Sequence, residues 1–311
     1  MSAPIYRHEF KAMASHCEVV LAGVSAEEAR RLSALAEAEV LRIEHKYSRY
    51  RPASLLSVIN RSWGQAVPAT SSPLAATAVI CDAETLDLLD KAELLFQHSG
   101  GLFDITSGVL RRVWNFKLKQ LPEPDALQAL LPLINWRAVV REGDTVRLPV
   151  AGMELDFGGF GKEYAADRAA ACLLEAGVTS GYVNLAGDMH ILGPKPDGTP
   201  WSIGIRHPRH PEQLLASIPV SAGALATSGD YERYFEKDGQ RYCHILNPQT
   251  GYPACYWQSV SVLAPNTLIA GSFTTIAMLM EEQGLAFLRS SGLSFLAVDQ
   301  AGKIYQESQD V

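Results

Sequence analysis

The residues best suited to chemistry lie in five short stretches. Asp156-Phe-Gly-Gly-Phe-Gly-Lys-Glu-Tyr-Ala-Ala-Asp167 leaves an expected strand and enters an expected helix. Gly158, Gly159 and Gly161 let a backbone approach a ligand closely, and the helix start offers free N–H groups to an anion. Lys162 adds a cation there. The spacing is neither GxGxxG nor GxxxxGK[ST], so the common nucleotide motifs do not apply, and a tight turn with a solvated lysine fits equally well. Gly101-Leu-Phe-Asp-Ile-Thr-Ser-Gly108 sets Asp104 and Thr106 among apolar residues. An acid and hydroxyls between glycines suit the polar edge of a ligand, or a turn whose side chains bond to their own backbone. Thr227-Ser-Gly-Asp-Tyr231 precedes Tyr242-Cys-His-Ile-Leu-Asn-Pro-Gln-Thr-Gly251, where His244 can move a proton near neutral pH or serve as a satisfied structural histidine. Asn184-Leu-Ala-Gly-Asp188 reads as a strand end and turn. Ala270-Gly-Ser-Phe-Thr-Thr275 opens an apolar helix; its hydroxyls suit capping, a hard cation or phosphate oxygens.

The elements that must hold these stretches follow from periodicity. Ser25-Ala-Glu-Glu28 fits a capping box, followed by Leu32, Leu35, Val40 and Ile43 at helical spacing, with Glu39 the polar intruder. A helix is expected over 83–98, with Leu86, Leu89, Ala92 and Phe96 as its stripe and Gly100-Gly101 as its stop. Further helices are expected over 163–176 and 270–289. Strands are expected over 18–24, 153–157, 181–185, 201–206, 216–220, 241–246, 259–263 and 295–298. Strands outnumber helices without alternating strictly with them, which argues for an α+β fold over a doubly wound parallel sheet. Leu118–Asp144, with Pro122, Pro124 and Pro132, reads as an ordered excursion or a soft lobe boundary.

Composition narrows the classes. The chain has 311 residues, 47% apolar and 20% charged, enough for a sizeable core and inconsistent with a mainly disordered chain. The formal net charge is −7, which disfavours nucleic acid as a partner. No apolar run reaches the roughly 18 residues that span a bilayer. Cys17, Cys81, Cys172, Cys243 and Cys255 are odd in number and irregular in spacing, as expected of thiols in a reducing compartment. The first twenty residues lack the layout of a signal peptide or a lipid attachment site, so a cytoplasmic location is expected.

Taken in order, the stretches resemble the FAD:protein FMN transferases, the ApbE-like family. The resemblance runs from about Met13 to Met280 as one two-lobed domain. It is carried by Met13-Ala-Ser15, by Tyr47-Ser-Arg-Tyr50 with Ser54 and Asn60, and by Gly101–Gly108 with Trp114. Asp156–Asp167, Asn184–Asp188, Trp201-Ser-Ile-Gly-Ile205, Ser228-Gly-Asp-Tyr231, His244–Gly251 and Ala270–Thr275 complete it. The resemblance implies cleavage of the FAD pyrophosphate with magnesium and transfer of FMN to a threonine or serine hydroxyl of an acceptor flavoprotein, with release of AMP. It implies a flavin cleft in an α+β domain with mixed or antiparallel sheets. Carried over residue by residue, it assigns Met13, Tyr50, Leu102, Phe103, Asp104, Asp156, Lys162 and Ile245 to the FAD site. It makes His244 the candidate for moving the hydroxyl proton.

The implied metal site departs from the family. Thr275 and the Gly159 carbonyl stand where the family has ligands, but Gly271 replaces the usual aspartate. Glu163 stands where the family commonly has glycine, and is either a replacement carboxylate or a residue favoured at a helix start. Ala14 and Ser15 stand for Gly-Thr, and Ala186 for a second glycine. Gly271 keeps open an FAD carrier with impaired transfer, and a pyrophosphatase using water is a further alternative. A flavin-dependent oxidoreductase is disfavoured, since nothing suggests a second redox substrate. A monomer is the expected state.

Overall fold

Alternating apolar and polar residues become antiparallel ladders in the computed structural model, which describes residues 3–63 and 78–308. The chain forms two compact units. One comprises Met1–His45, Gly159–Glu232 and Cys255–Val311; the other comprises Lys46–Gly158 and Arg233–Ala254.

The first unit is built on an eight-stranded sheet. Its order is Ile5–Ala12, Ser15–Ala22, Gly181–Leu185, Asp188–Gly193, Gly223–Gly229, Trp257–Ala264, Ser294–Asp299 and Ile304–Glu307. Every neighbouring pair is antiparallel. The hairpin Trp201–Arg206/Leu214–Val220 buries Trp201, Ile203 and Ile205 at period two, against Val20, Tyr182, Ile191 and Leu225. Helices Gly161–Glu175 and Thr267–Leu279 pack on the sheet and on each other. Both are apolar on their packed sides, with Ala165, Ala169, Leu173, Ile276 and Ala277 fully buried.

Helix Ala26–Tyr47 starts at the expected cap, where Ser25 Oγ accepts from Glu28 N at 3.2 Å. Leu32, Val40 and Ile43 are buried, but Leu35 is 40% exposed and Ala36 takes its place on the packed stripe. Glu39 is satisfied by Arg42 at 2.8 Å and Arg168 at 3.3 Å. The helix expected over 270–289 breaks after Leu279 and resumes at Gly284–Ser290. Between them Glu281 is left-handed, with φ 51°, and its carbonyl accepts the Trp257 indole at 2.7 Å, which turns the chain.

The second unit contains helix Ala83–His98, the small sheet Val79–Ile80/Thr145–Arg147/Val140–Glu142 and the hairpin Tyr234–Lys237/Gln240–Cys243. The 83–98 helix has the expected ends, but its buried stripe is Leu88, Leu89, Ala92 and Leu95, with Leu86 and Phe96 only half-buried. No strand forms over 153–157. Asn60 accepts from Leu155 N at 2.7 Å and donates to its carbonyl at 2.9 Å, so one side chain takes the place of a ladder neighbour. The strand expected over 241–246 ends at Cys243, where the chain turns into the His244–Gly251 loop. Leu118–Asp144 lies wholly inside this unit and carries helix Pro124–Leu130. It is therefore the ordered excursion and not a boundary. Trp114, Leu110, Leu127 and Phe235 form a core beneath it.

Among the described residues no helix is long and apolar enough to cross a membrane. None of the five cysteines forms a disulfide.

Candidate active site

In the first unit the glycine-rich turn delivers helix Gly161–Glu175 with Lys162 and Glu163 in its first turn. The Lys162 ammonium pairs with Asp188, a residue 3% exposed that also accepts from Thr227 N at 3.2 Å. Burial alone would depress the lysine, but the Asp188 and Glu163 carboxylates outweigh it and hold the ammonium well above its ordinary range. Glu163 is 7% exposed, and its Oε2 has no hydrogen-bond partner. Burial pushes its carboxyl up to about 8, Lys162 pulls it down, and the like charge of Asp188 adds to the rise.

The Glu163 side chain lies over Gly271. A Cβ at 271 would stand 2.5 Å from Glu163 Cγ and 3.0 Å from Oε1. One helical turn further on, Thr274 Oγ1 donates to the Gly271 carbonyl at 2.8 Å. Ser228 Oγ bonds Thr274 Oγ1 at 2.8 Å and Thr275 Oγ1 at 3.3 Å. Carboxylate, hydroxyl and carbonyl oxygens are the donors that a hard divalent cation prefers, and the unpartnered Glu163 oxygen leaves one such donor unused. Among the described residues no group of three or more His, Cys, Asp or Glu forms a metal cluster. A cation here would depend on hydroxyls and carbonyls beside the carboxylate.

In the second unit Asp156 and the Gly101–Gly108 loop are tied together, since Asp156 N donates to the Ile105 carbonyl at 2.8 Å. The Asp156 carboxylate meets Arg49 at 3.1 Å and Arg111 at 3.3 Å, and accepts from Gly158 N at 2.8 Å. Arg49 also donates to the Gly108 carbonyl at 3.0 Å. A Cβ at Gly108 would fall 2.5 Å from Asp156 Cβ, so only glycine permits this approach. Asp104 is buried and accepts from Thr106 N, Thr106 Oγ1 and Trp136 N at 2.7, 2.6 and 3.2 Å. Burial raises its carboxyl, against those hydrogen bonds. Asp104 lines a pocket of about 380 Å³ with Phe96, Gly101, Asn135, Arg137 and Gln249.

Residues 13–297 match the ApbE family. The chain belongs to that family. It is 34% identical to the FAD:protein FMN transferase of Treponema pallidum over 72% of this chain and 67% of that one. To a Klebsiella pneumoniae FAD:protein FMN transferase it is 37% identical, over 60% of each chain. To the Escherichia coli FAD:protein FMN transferase it is 26% identical, over 96% of this chain and 85% of that one. Its fold matches the crystal structure of the ApbE protein of Thermotoga maritima with a TM-score of 0.86, at 29% identity over 98% of this chain and 97% of that one.

Of the residues that the ApbE resemblance singles out, Met13, Gly159, Lys162, Glu163 and Thr275 lie in the first unit. Lys162 and Glu163 share one helical turn, and Glu163 meets the helix that carries Thr275. Met13 sits in the hairpin turn after Ala12, left-handed with φ 51°. Tyr50, Leu102, Phe103, Asp104, Asp156, His244 and Ile245 lie in the second unit. Tyr50 is 77% exposed beside the Arg49 guanidinium, whereas Phe103 and Ile245 are buried. His244 and Ile245 head a loop closed by Ala254 N on the Ile245 carbonyl at 2.9 Å.

Sequence reasoning gave no role to Asp188, Ser228, Arg49 or Arg111. The first three stand inside the stretches Asn184–Asp188, Ser228–Tyr231 and Tyr47–Tyr50. Their pairing with Lys162, Thr275 and Asp156 was the missing information. Arg111 had no signal beyond its place after Gly108.

Proposed function

We infer that this protein is an FAD:protein FMN transferase that acts on a threonine or serine hydroxyl of an acceptor flavoprotein. The observation that carries the reading is the family match over residues 13–297. In the reaction the acceptor oxygen bonds to the FMN-side phosphorus of FAD. The bond from that phosphorus to the bridging oxygen breaks, the hydroxyl proton is taken up, and AMP leaves. Such a displacement is governed by positioning and by neutralising charge on the phosphates.

Lys162 is built for the second task, since Asp188 keeps it charged and pointed. Asp104 and Asp156 sit in fixed polar frames, and the pocket beside Asp104 suits the polar edge of one end of FAD. Leu102, Phe103 and Ile245 supply apolar contact, as does half-buried Met13, and exposed Tyr50 offers a face for a ring system. His244 takes the hydroxyl proton. Thr275 and the Gly159 carbonyl would hold a magnesium ion, which would supply charge neutralisation at the pyrophosphate. Cysteines without a disulfide among them fit a reducing compartment, and we place the protein in the cytoplasm.

The test is incubation with FAD, Mg²⁺ and a peptide or protein carrying the acceptor hydroxyl, read by in-gel flavin fluorescence and by AMP release. Covalent labelling with equimolar AMP is expected. FMN release without labelling would make the protein a pyrophosphatase, and FAD binding with neither product would make it a carrier.

A further inference from the structure

We propose that Glu163 supplies the cation-binding carboxylate that the family places at position 271, so that positions 163 and 271 form one exchanged pair. The inference rests on the transferase reading and adds to it which side chain holds the metal. Position 271 is glycine and position 163 is glutamate, against the aspartate and glycine that the resemblance implies at those places. The structure shows why they belong together. The space a Cβ at 271 would take is filled by Glu163, with Cγ 2.5 Å and Oε1 3.0 Å from that point. A carboxylate from either helix can occupy this space, but not both.

The receiving end is also in place. Thr275 lies one helical turn beyond Gly271, with its hydroxyl oriented by Ser228 at 3.3 Å. Glu163 is 7% exposed, and its Oε2 is without a protein partner. Lys162 makes no hydrogen bond to that oxygen, and its ammonium pairs with Asp188. A buried carboxyl oxygen with no hydrogen-bond partner is costly unless a ligand completes it, and a hard divalent cation is the ligand that carboxylate, hydroxyl and carbonyl oxygens share. The exchange also means that Gly271→Asp alone cannot restore a family-type site, since the new Cβ would strike Glu163.

The experiment titrates Mn²⁺ into the full chain, followed by the loss of free-ion EPR signal, with and without FAD. FAD binding is measured separately in EDTA by flavin fluorescence. The variants are Glu163→Gln, Gly271→Asp and Glu163→Gly/Gly271→Asp, each checked for folding by circular dichroism. Loss of a carboxylate ligand should weaken Mn²⁺ by more than about tenfold in Glu163→Gln. Gly271→Asp should be no better than Glu163→Gln, and the double variant should return to within about threefold of the parent. Unchanged Mn²⁺ affinity in Glu163→Gln, or a folded double variant that fails to recover, overturns the exchange. So does an absence of Mn²⁺ binding by the parent chain in both conditions. In each of those cases intact FAD binding leaves the transferase reading standing, whereas loss of FAD binding by the parent chain removes that reading.

Discussion

Asp167 shows how one side chain in the glycine-rich block serves a helix other than its own. It projects from helix Gly161–Glu175 and accepts from Thr267 N at 2.7 Å and Leu268 N at 2.9 Å, two of the free N–H groups at the start of helix Thr267–Leu279. It also bonds His190 Nδ1 at 2.7 Å. Asn266 caps a third N–H, that of Ile269. The orientation of Thr275 therefore depends on residues a hundred positions away. Asp167→Ala should cost about 1–3 kcal/mol in urea unfolding, and Asp167→Asn, which keeps one acceptor, less than half of that. Equal stability of parent and alanine variant would show that the cap contributes nothing. Lys162 is the second test at this scale. Lys162→Met removes a charged contact and should lower kcat/KM for FAD about 10- to 100-fold. Because it also strands Asp188 in the interior, it should lose stability, and Lys162→Met/Asp188→Asn should recover stability without recovering activity.

The hairpins and loops carry their own consequences. Ser15–Ala22 and Gly181–Leu185 pair through the sheet, and each is joined to a neighbouring strand by a two-residue turn with both central residues left-handed. Those residues are Met13-Ala14, with φ 51° and 56°, and Ala186-Gly187, with φ 56° and 98°. Such turns favour glycine and asparagine, and an L side chain there costs about 1–2 kcal/mol. Ala186→Gly should therefore raise stability by about 0.5–1 kcal/mol after the extra chain entropy of glycine is set against it, read as an upward shift of the urea midpoint. Gly251 has the opposite sensitivity. It is left-handed at φ 75°, a Cβ there would meet Leu127 Cδ1 at 2.7 Å, and its carbonyl accepts the Trp114 indole at 2.8 Å. Gly251→Ala should destabilise the loop headed by His244 by about 1–3 kcal/mol and accelerate amide exchange there first.

At the scale of the molecule, the chain changes unit at four places: after His45, Gly158, Glu232 and Ala254. Three of these fall in or next to stretches first noticed for their chemistry: the glycine-rich block, Ser228–Tyr231 and His244–Gly251. If FAD binds only the folded chain, ligand at about 100 times its Kd should add roughly 2.7 kcal/mol and raise the thermal midpoint by several degrees. FMN or AMP at the same concentration should raise it less. With no disulfide among the five cysteines, a reducing agent should leave the midpoint unchanged.

Residue order and local pattern determined a good deal. The α+β class, the ends of helix Ala83–His98, the strand Gly181–Leu185 and the Ser25 cap follow from periodicity and short-range hydrogen bonding, which act within a few residues. Family membership was legible because its residue types recur in order along the chain. Tertiary structure alone decided what those residues touch. Leu155 looks like part of a strand because Met153, Leu155 and Phe157 alternate with Glu154 and Asp156, yet its backbone groups are satisfied by Asn60, 95 positions earlier. The helix expected over 270–289 stops at Leu279, just before Glu281 turns left-handed and its carbonyl meets the Trp257 indole. Gly271 and Glu163 are visible separately, but only packing of two helices against each other shows that the Glu163 side chain fills the space beside Gly271. Sequence encodes such a pair as two unrelated letters, because steric exclusion acts across space and not along the chain.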